Sequence, residues 1–186
     1  FEKEVEKSAG GSQRQALDQN GDGRPDVWLR LDDAGQVTRR EEDRNGDGEP
    51  DVGSTYRNGT LRGVREDRDF QGCWSVVERY DAQGELVEQH VDENGDCAID
   101  LWSRLDGEQV VWQARDTRGA GRATQLTRYD GSGSASVHEV VSEGSSRPDT
   151  KNFFGADGNV RSQCSDGDRD GRFDARFRFD AQGRPS

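Results

Sequence analysis

Asp18-Gln19-Asn20-Gly21-Asp22-Gly23-Arg24-Pro25-Asp26 is the stretch on which the reading of this chain turns. Oxygen-bearing side chains stand at positions 1, 3, 5 and 9, and glycine at position 6. In a tight loop, alternate carboxylates and amides converge on one hard cation. Ca²⁺ takes roughly six to eight oxygens at about 2.3–2.6 Å. Position 6 needs glycine for the sharp turn, and position 7 offers its backbone carbonyl. The expected ligands are therefore Asp18, Asn20, Asp22, the Arg24 carbonyl and Asp26.

The same D-x-[DN]-x-D-G-x-x-D spacing returns three times. A second loop offers Asp43, Asn45, Asp47, the Glu49 carbonyl and Asp51. A third offers Asp92, Asn94, Asp96, the Ala98 carbonyl and Asp100, with Cys97 in place of the glycine. The last offers Asp166, Asp168, Asp170, the Arg172 carbonyl and Asp174. These loops predict about four Ca²⁺ sites. The glutamate that closes an EF-hand loop at position 12 is replaced by Leu29, Ser54, Ser103 and Phe177, and the following residues read as strand. Asp, Asn and Gly also favour ordinary turns, but four copies in register with a repeat demand more than turn propensity.

Unit starts fall at 18, 43, 67, 92, 116, 141 and 166, a period of 24–25 residues that marks a repeat architecture. Three units keep this frame while losing ligands. Loop 67–75 retains Asp67, Asp69 and Gly72 but ends on Ser75; loop 116–124 has Asp116, Arg118 and Ala120; loop 141–149 has Val141, Glu143 and Ser145, with Asp149 surviving. The frame must therefore serve structure as well as metal.

Five residues past position 9 a large apolar residue recurs: Leu31, Tyr56, Tyr80, Leu105, Tyr129, Phe154 and Phe179. Val27, Leu29 and Leu31 alternate with Trp28 and Arg30, the period of two of a half-buried strand. Turns follow at Asp32-Asp33-Ala34-Gly35, Asp81-Ala82-Gln83-Gly84 and Asp180-Ala181-Gln182-Gly183, and Asp106-Gly107 is a tight hairpin signal. Each unit reads as strand, turn, strand, loop. The fold class is all-β: a repetitive antiparallel β-meander of about seven hairpin units, with calcium loops along one edge and turns along the other. Open, coiled and closed sheets all fit. Residues 1–17 read as a partial N-terminal unit or cap, with Gly10 at the turn-glycine place, and 18–186 as the array, in keeping with part of a longer chain.

Hydrophobic residues make up only 28% of the 186, so the second strand of each unit is poor in apolar residues and the core is thin. A formal charge of −12, with arginines spaced singly, argues against nucleic-acid binding. About four Ca²⁺ ions would reduce that charge to about −4, coupling metal to fold. No stretch reaches transmembrane length. His90 and His138 have no motif partner, and no nucleophile elbow, zinc cluster or phosphate loop appears, so the chain reads as non-enzymatic. Cys73 and Cys97 sit at positions 7 and 6 of adjacent loops, where a disulfide can replace lost ligands in an oxidising compartment. Cys164 is left over.

The four full loops resemble the calcium sites of thrombospondin type 3 repeats, dockerins and FG-GAP propeller blades. Tyr80-Asp81-Ala82-Gln83-Gly84-Glu85-Leu86 is similar to the YD repeat of Rhs-type bacterial surface and toxin proteins. These resemblances imply an extracellular, calcium-stabilised scaffold with adhesive or shell-like roles. Arginine outnumbers lysine 23 to 3, a bias in keeping with a high-GC bacterial genome. The function expected is thus a calcium-binding repeat of the cell surface, the periplasm or the secreted fraction, acting on a surface protein or polysaccharide as an adhesion or scaffold module. A second expectation is a carbohydrate- or peptide-binding module. Trp28 and Trp102, equivalent in their units, would carry it, helped by Trp74, Trp112 and the recurring arginines.

Overall fold

Each alternating run that follows a loop forms a strand, and each second run pairs back onto it. The computed structural model describes residues 3–7 and 13–186, so the turn expected at Gly10 lies outside the described residues. Two compact units divide the chain, Phe1–Ala98 and Ile99–Ser186. The first holds β1 (Lys3–Lys7), β2 (Gln13–Leu17), β3 (Val27–Leu31), β4 (Val37–Glu42), β5 (Val52–Arg57), β6 (Thr60–Glu66), β7 (Val76–Tyr80) and β8 (Leu86–Val91). The second holds β9 (Leu101–Asp106), β10 (Gln109–Arg115), β11 (Gln125–Tyr129), β12 (Ala135–Val140), β13 (Thr150–Phe154), β14 (Val160–Ser165) and β15 (Ala175–Arg178). Within each unit the strands pair antiparallel in sequence order, as expected of a meander. Among the described residues no helix is long and apolar enough to cross a membrane.

One edge of each meander carries the hairpin turns. Asp32, Asp81, Asp130 and Asp180 open the longer ones. Each accepts, through Oδ1, the N–H groups two and four residues on, at 2.9–3.1 Å. The turn glycines that close them, such as Gly84 at φ 89°, adopt the left-handed conformation. The Glu85 N–H leads the bonds that hold the Asp81 carboxyl below its ordinary range. The Arg184 N–H does the same for Asp180, and the Ser132 hydroxyl for Asp130. At Asn58-Gly59 both residues have positive φ, the requirement of a two-residue hairpin. A register shift recurs just before the large apolar residue, between Arg30 and Leu31, Thr55 and Tyr56, Arg79 and Tyr80, Arg128 and Tyr129, and Phe153 and Phe154. It accommodates the turn without breaking the repeat.

Burial concentrates at the opposite edge. Among the described residues seven apolar side chains are buried against thirteen polar or charged ones, so packing of hydrocarbon alone does not define the interior. Val27, Val52, Val76 and Leu101 all stand at position 10, directly after a loop, and all are buried. Their neighbours at positions 9 and 1 are buried too: Asp51, Ser75, Asp100, Thr124 and Asp149, and Asp43, Asp67, Asp92, Val141 and Asp166. Of the recurring large apolar residues only Leu31 is buried; Tyr56, Tyr80, Leu105, Tyr129, Phe154 and Phe179 stay partly exposed. Tyr80 donates to Glu78 at 2.6 Å, and burial followed by that carboxylate pushes its phenol up to about 12. Gly53 leaves room for Arg65 to cross the sheet, because a Cβ there would lie 2.7 Å from Arg65 Nε. The guanidinium reaches Glu41 at 3.2 Å and lies 4.1 Å from the Trp74 ring centroid.

Candidate metal centres

The loops are built from backbone outward. The position 9 N–H donates to the carbonyl just before position 1, as in Asp26 to Leu17, Asp51 to Glu42, Thr124 to Arg115, Asp149 to Val140 and Asp174 to Ser165, at 2.7–3.0 Å. The N–H at position 1 of the next loop then donates to the position 9 carbonyl, as in Asp43 to Asp26, Asp67 to Asp51 and Val141 to Thr124, at 2.8–2.9 Å. These two bonds stack successive loops along the edge in register with the strands.

Side-chain oxygens fill each loop from within. At position 1, Asp43 accepts Gly46 N–H on Oδ1 and Gly48 N–H on Oδ2, both at 2.7 Å. Asp18 and Asp92 make the same pair, with Gly21 and Gly23, and with Gly95 and Cys97. At position 3, Asn20, Asn45, Asn94 and Asp168 accept the position 5 N–H. At position 5, Asp22, Asp47, Asp96 and Asp170 accept the N–H of Arg24, Glu49, Ala98 and Arg172. At position 9, Asp26 and Asp51 accept the N–H groups of positions 2 and 3 at 2.6–3.1 Å. The carboxylates therefore organise the loop and still carry further lone pairs. Asp100 is buried at the start of the second compact unit.

Loop 166–174 comes nearest to a metal cage. Ligand oxygens of Asp166, Asp168 and Asp174 lie within 4.8 Å of one another. Asp166 is 7% exposed, and its Oδ1 is buried without a hydrogen-bond partner. In loops 18–26, 43–51 and 92–100 the position 4 glycine N–H caps Oδ1; here position 4 is Arg169, left-handed like those glycines at φ 63°, and its N–H does not make that bond. Three carboxylates packed this closely repel one another, and burying an unpaired oxygen costs about 1–3 kcal/mol. A hard divalent cation removes both costs. Among the described residues this is the one group of three acidic side chains so arranged. The other three full loops have Asn20, Asn45 and Asn94 at position 3 and offer carboxylates only at positions 1, 5 and 9.

The three degenerate loops keep the frame by other chemistry. Ser75 Oγ accepts Arg68 N–H at 2.9 Å and donates to the Glu66 carbonyl at 3.2 Å. Thr124 Oγ1 does the same with Thr117 N–H and the Arg115 carbonyl, at 2.9 and 3.2 Å. Gly72 N–H leads the bonds that outweigh burial at Asp67 and hold that carboxyl low; Arg118 N–H does so at Asp116. Arg118 Nη2 donates to the Val141 carbonyl at 2.6 Å and Arg122 Nη2 to the Ser145 carbonyl at 2.9 Å, so guanidinium groups tie loop 116–124 to loop 141–149. Loop 67–75 is tied covalently: Cys73 and Cys97 form the expected disulfide, with Cα atoms 5.7 Å apart. Cys164 is a free thiol, partly exposed in β14.

Position 4 escaped the sequence reading. It is left-handed in all seven loops, at Gly21, Gly46, Phe70, Gly95, Gly119, Gly144 and Arg169. Glycine at five of these seven positions was the available signal. No family model and no curated protein matches the chain.

Proposed function

We propose that this chain is a non-enzymatic, calcium-binding repeat module of the cell surface, the periplasm or the secreted fraction, with an adhesive or scaffolding role. The buried, unpartnered Asp166 Oδ1 beside Asp168 and Asp174 carries the metal reading. The full loops 18–26 and 43–51, and the loop that opens at Asp92, supply the other three sites by the same spacing. The Cys73–Cys97 disulfide supports an oxidising compartment, where calcium is about millimolar and weak sites fill. A repeat with so few buried apolar side chains gains much of its rigidity from neutralised carboxylates.

Calorimetric titration of Ca²⁺ into chelator-treated protein tests this reading. About four ions per chain are expected, with one fewer in Asp166→Asn and little heat from Mg²⁺, which demands a tighter octahedral site. Binding of less than one ion per chain, or equal binding of Mg²⁺, would overturn it.

A further inference from the structure

One face of the first compact unit carries a row of cross-strand neighbours whose charges do not alternate. At one end Arg79 faces Glu88 and bonds to it at 2.8 Å, the ordinary ladder of opposite charges. Three strands from the other end the ladder fails. Arg30 in β3 stands directly opposite Arg14 in β2 and directly opposite Arg39 in β4. Like charges directly opposite destabilise a sheet. Arg39 turns to Glu41 at 2.5 Å, and Glu41 is also taken by Arg65 at 3.2 Å, so that carboxylate is already shared. Glu6 in β1 stands directly opposite Arg14 in the same row, two strands from Arg30. Among the described residues 13–186 the exposed Arg30 guanidinium forms no ion pair with an acidic side chain.

Trp28 lies on the same face, two residues along β3, between Ala16 and Glu41. Ala16 is too small to cover the indole. A cleft of about 360 Å³ results, lined by Arg14, Ala16, Trp28, Arg30, Arg39 and Glu41. Its equivalent in the second unit is different: Trp102 also faces alanine, Ala114, but Arg104 faces Trp112, with its guanidinium 5.5 Å from the ring centroid. The arginine cluster is thus peculiar to Trp28.

The geometry points to a subsite for a uronic-acid-bearing polysaccharide segment at Trp28, Arg14, Arg30 and Arg39. Guanidinium forks bind carboxylates in two-pronged fashion, which lysine cannot do. An indole face offers an apolar platform to the C–H face of a sugar ring. Arginine clusters also take acidic peptides, but an extended peptide draws its main-chain hydrogen bonds from an unpaired sheet edge. Here the backbones of β2, β3 and β4 are paired on both sides, leaving only side chains to recognise the ligand. Loop 18–26 borders this cleft through Pro25, and none of its expected metal ligands lines it.

Calorimetry on the calcium-saturated chain, at low salt, with a galacturonate tetramer, a galactose tetramer and hexaglutamate as probes, tests the proposal. Galacturonate is expected to bind, and the neutral tetramer at least roughly tenfold more weakly. Arg30→Gln and Trp28→Ala should each weaken galacturonate by roughly tenfold, whereas Arg79→Gln leaves it unchanged. Arg30→Gln should not lower the melting temperature, since it relieves repulsion; this separates lost binding from lost fold. Absence of galacturonate binding, equal binding of galactose or hexaglutamate, or binding that survives Arg30→Gln, as ion-bridged uronate at the loops would, overturns the subsite.

Discussion

Loops 43–51 and 116–124 share one frame and fill it with opposite chemistry. In the first, Asp43 and Asp51 accept four backbone N–H groups, and Asn45 and Asp47 add two more acceptors. In the second, Thr124 takes the place of the closing carboxylate, and Arg118 and Arg122 reach the carbonyls of the neighbouring loop. The comparison separates two roles that the sequence motif merges. An acceptor at position 9 is what the fold requires, and a hydroxyl satisfies it. A carboxylate there adds charge that the fold does not need, which is why the full loops are the metal candidates.

The largest effect should come where neither solution is complete. Loop 67–75 has lost ligands and has no bridging arginine of the Arg118 kind, but it is stapled to Cys97 across a sequence separation of 24 residues. Replacing both cysteines by serine should cost about 3 kcal/mol in chemical denaturation. A loss no greater than that of a surface substitution would mean that the disulfide stands in for nothing.

Next in size is a matched pair of position 9 variants. Thr124→Val removes a hydroxyl that both accepts and donates at a site 2% exposed, and should cost about 1–3 kcal/mol with or without calcium. Asp51→Asn keeps an acceptor for the Arg44 and Asn45 N–H groups. It should cost little in chelator and about 1–2 kcal/mol in excess calcium, through lost ion binding. Equal calcium dependence in the two variants would break the comparison. Phe70→Gly sharpens it from the backbone side. Phe70 holds φ 58° at position 4 while 49% exposed, so glycine relieves strain and sacrifices little burial. Stability should rise by about 1 kcal/mol.

The smallest effect lies at the turn edge. Asp81 is held below its ordinary range, so it contributes stability above about pH 4 that is lost as pH falls through its lowered value. Melting curves over that acid window should be flatter for Asp81→Asn than for the parent chain. An identical slope would assign the acid sensitivity elsewhere, to Asp67 and Asp116 of the degenerate loops, which are also held low.

Period, hairpins and loop edges were legible because spacing alone carries them: Asp81 and Gly84 fix a turn, and Asp18 to Asp26 a loop. The Cys73–Cys97 disulfide followed from neighbouring positions, 7 and 6, in adjacent loops. The core was less legible. The sequence marked a thin core without placing it; burial centres on position 10, where Val27, Val52 and Val76 lie next in sequence to position 9, buried at Asp51 and Ser75. The Arg118 and Arg122 ties and the Arg14–Arg30–Arg39 row depend on cross-strand register, which a single strand's sequence does not state.

Amide hydrogen exchange, followed residue by residue in calcium and in chelator, tests the division between the two kinds of loop most directly. Protection is expected to fall on chelation in loops 18–26, 43–51, 92–100 and 166–174, and to hold in 116–124 and 141–149. Unchanged protection in the carboxylate-rich loops, or an equal loss in all seven, would contradict it.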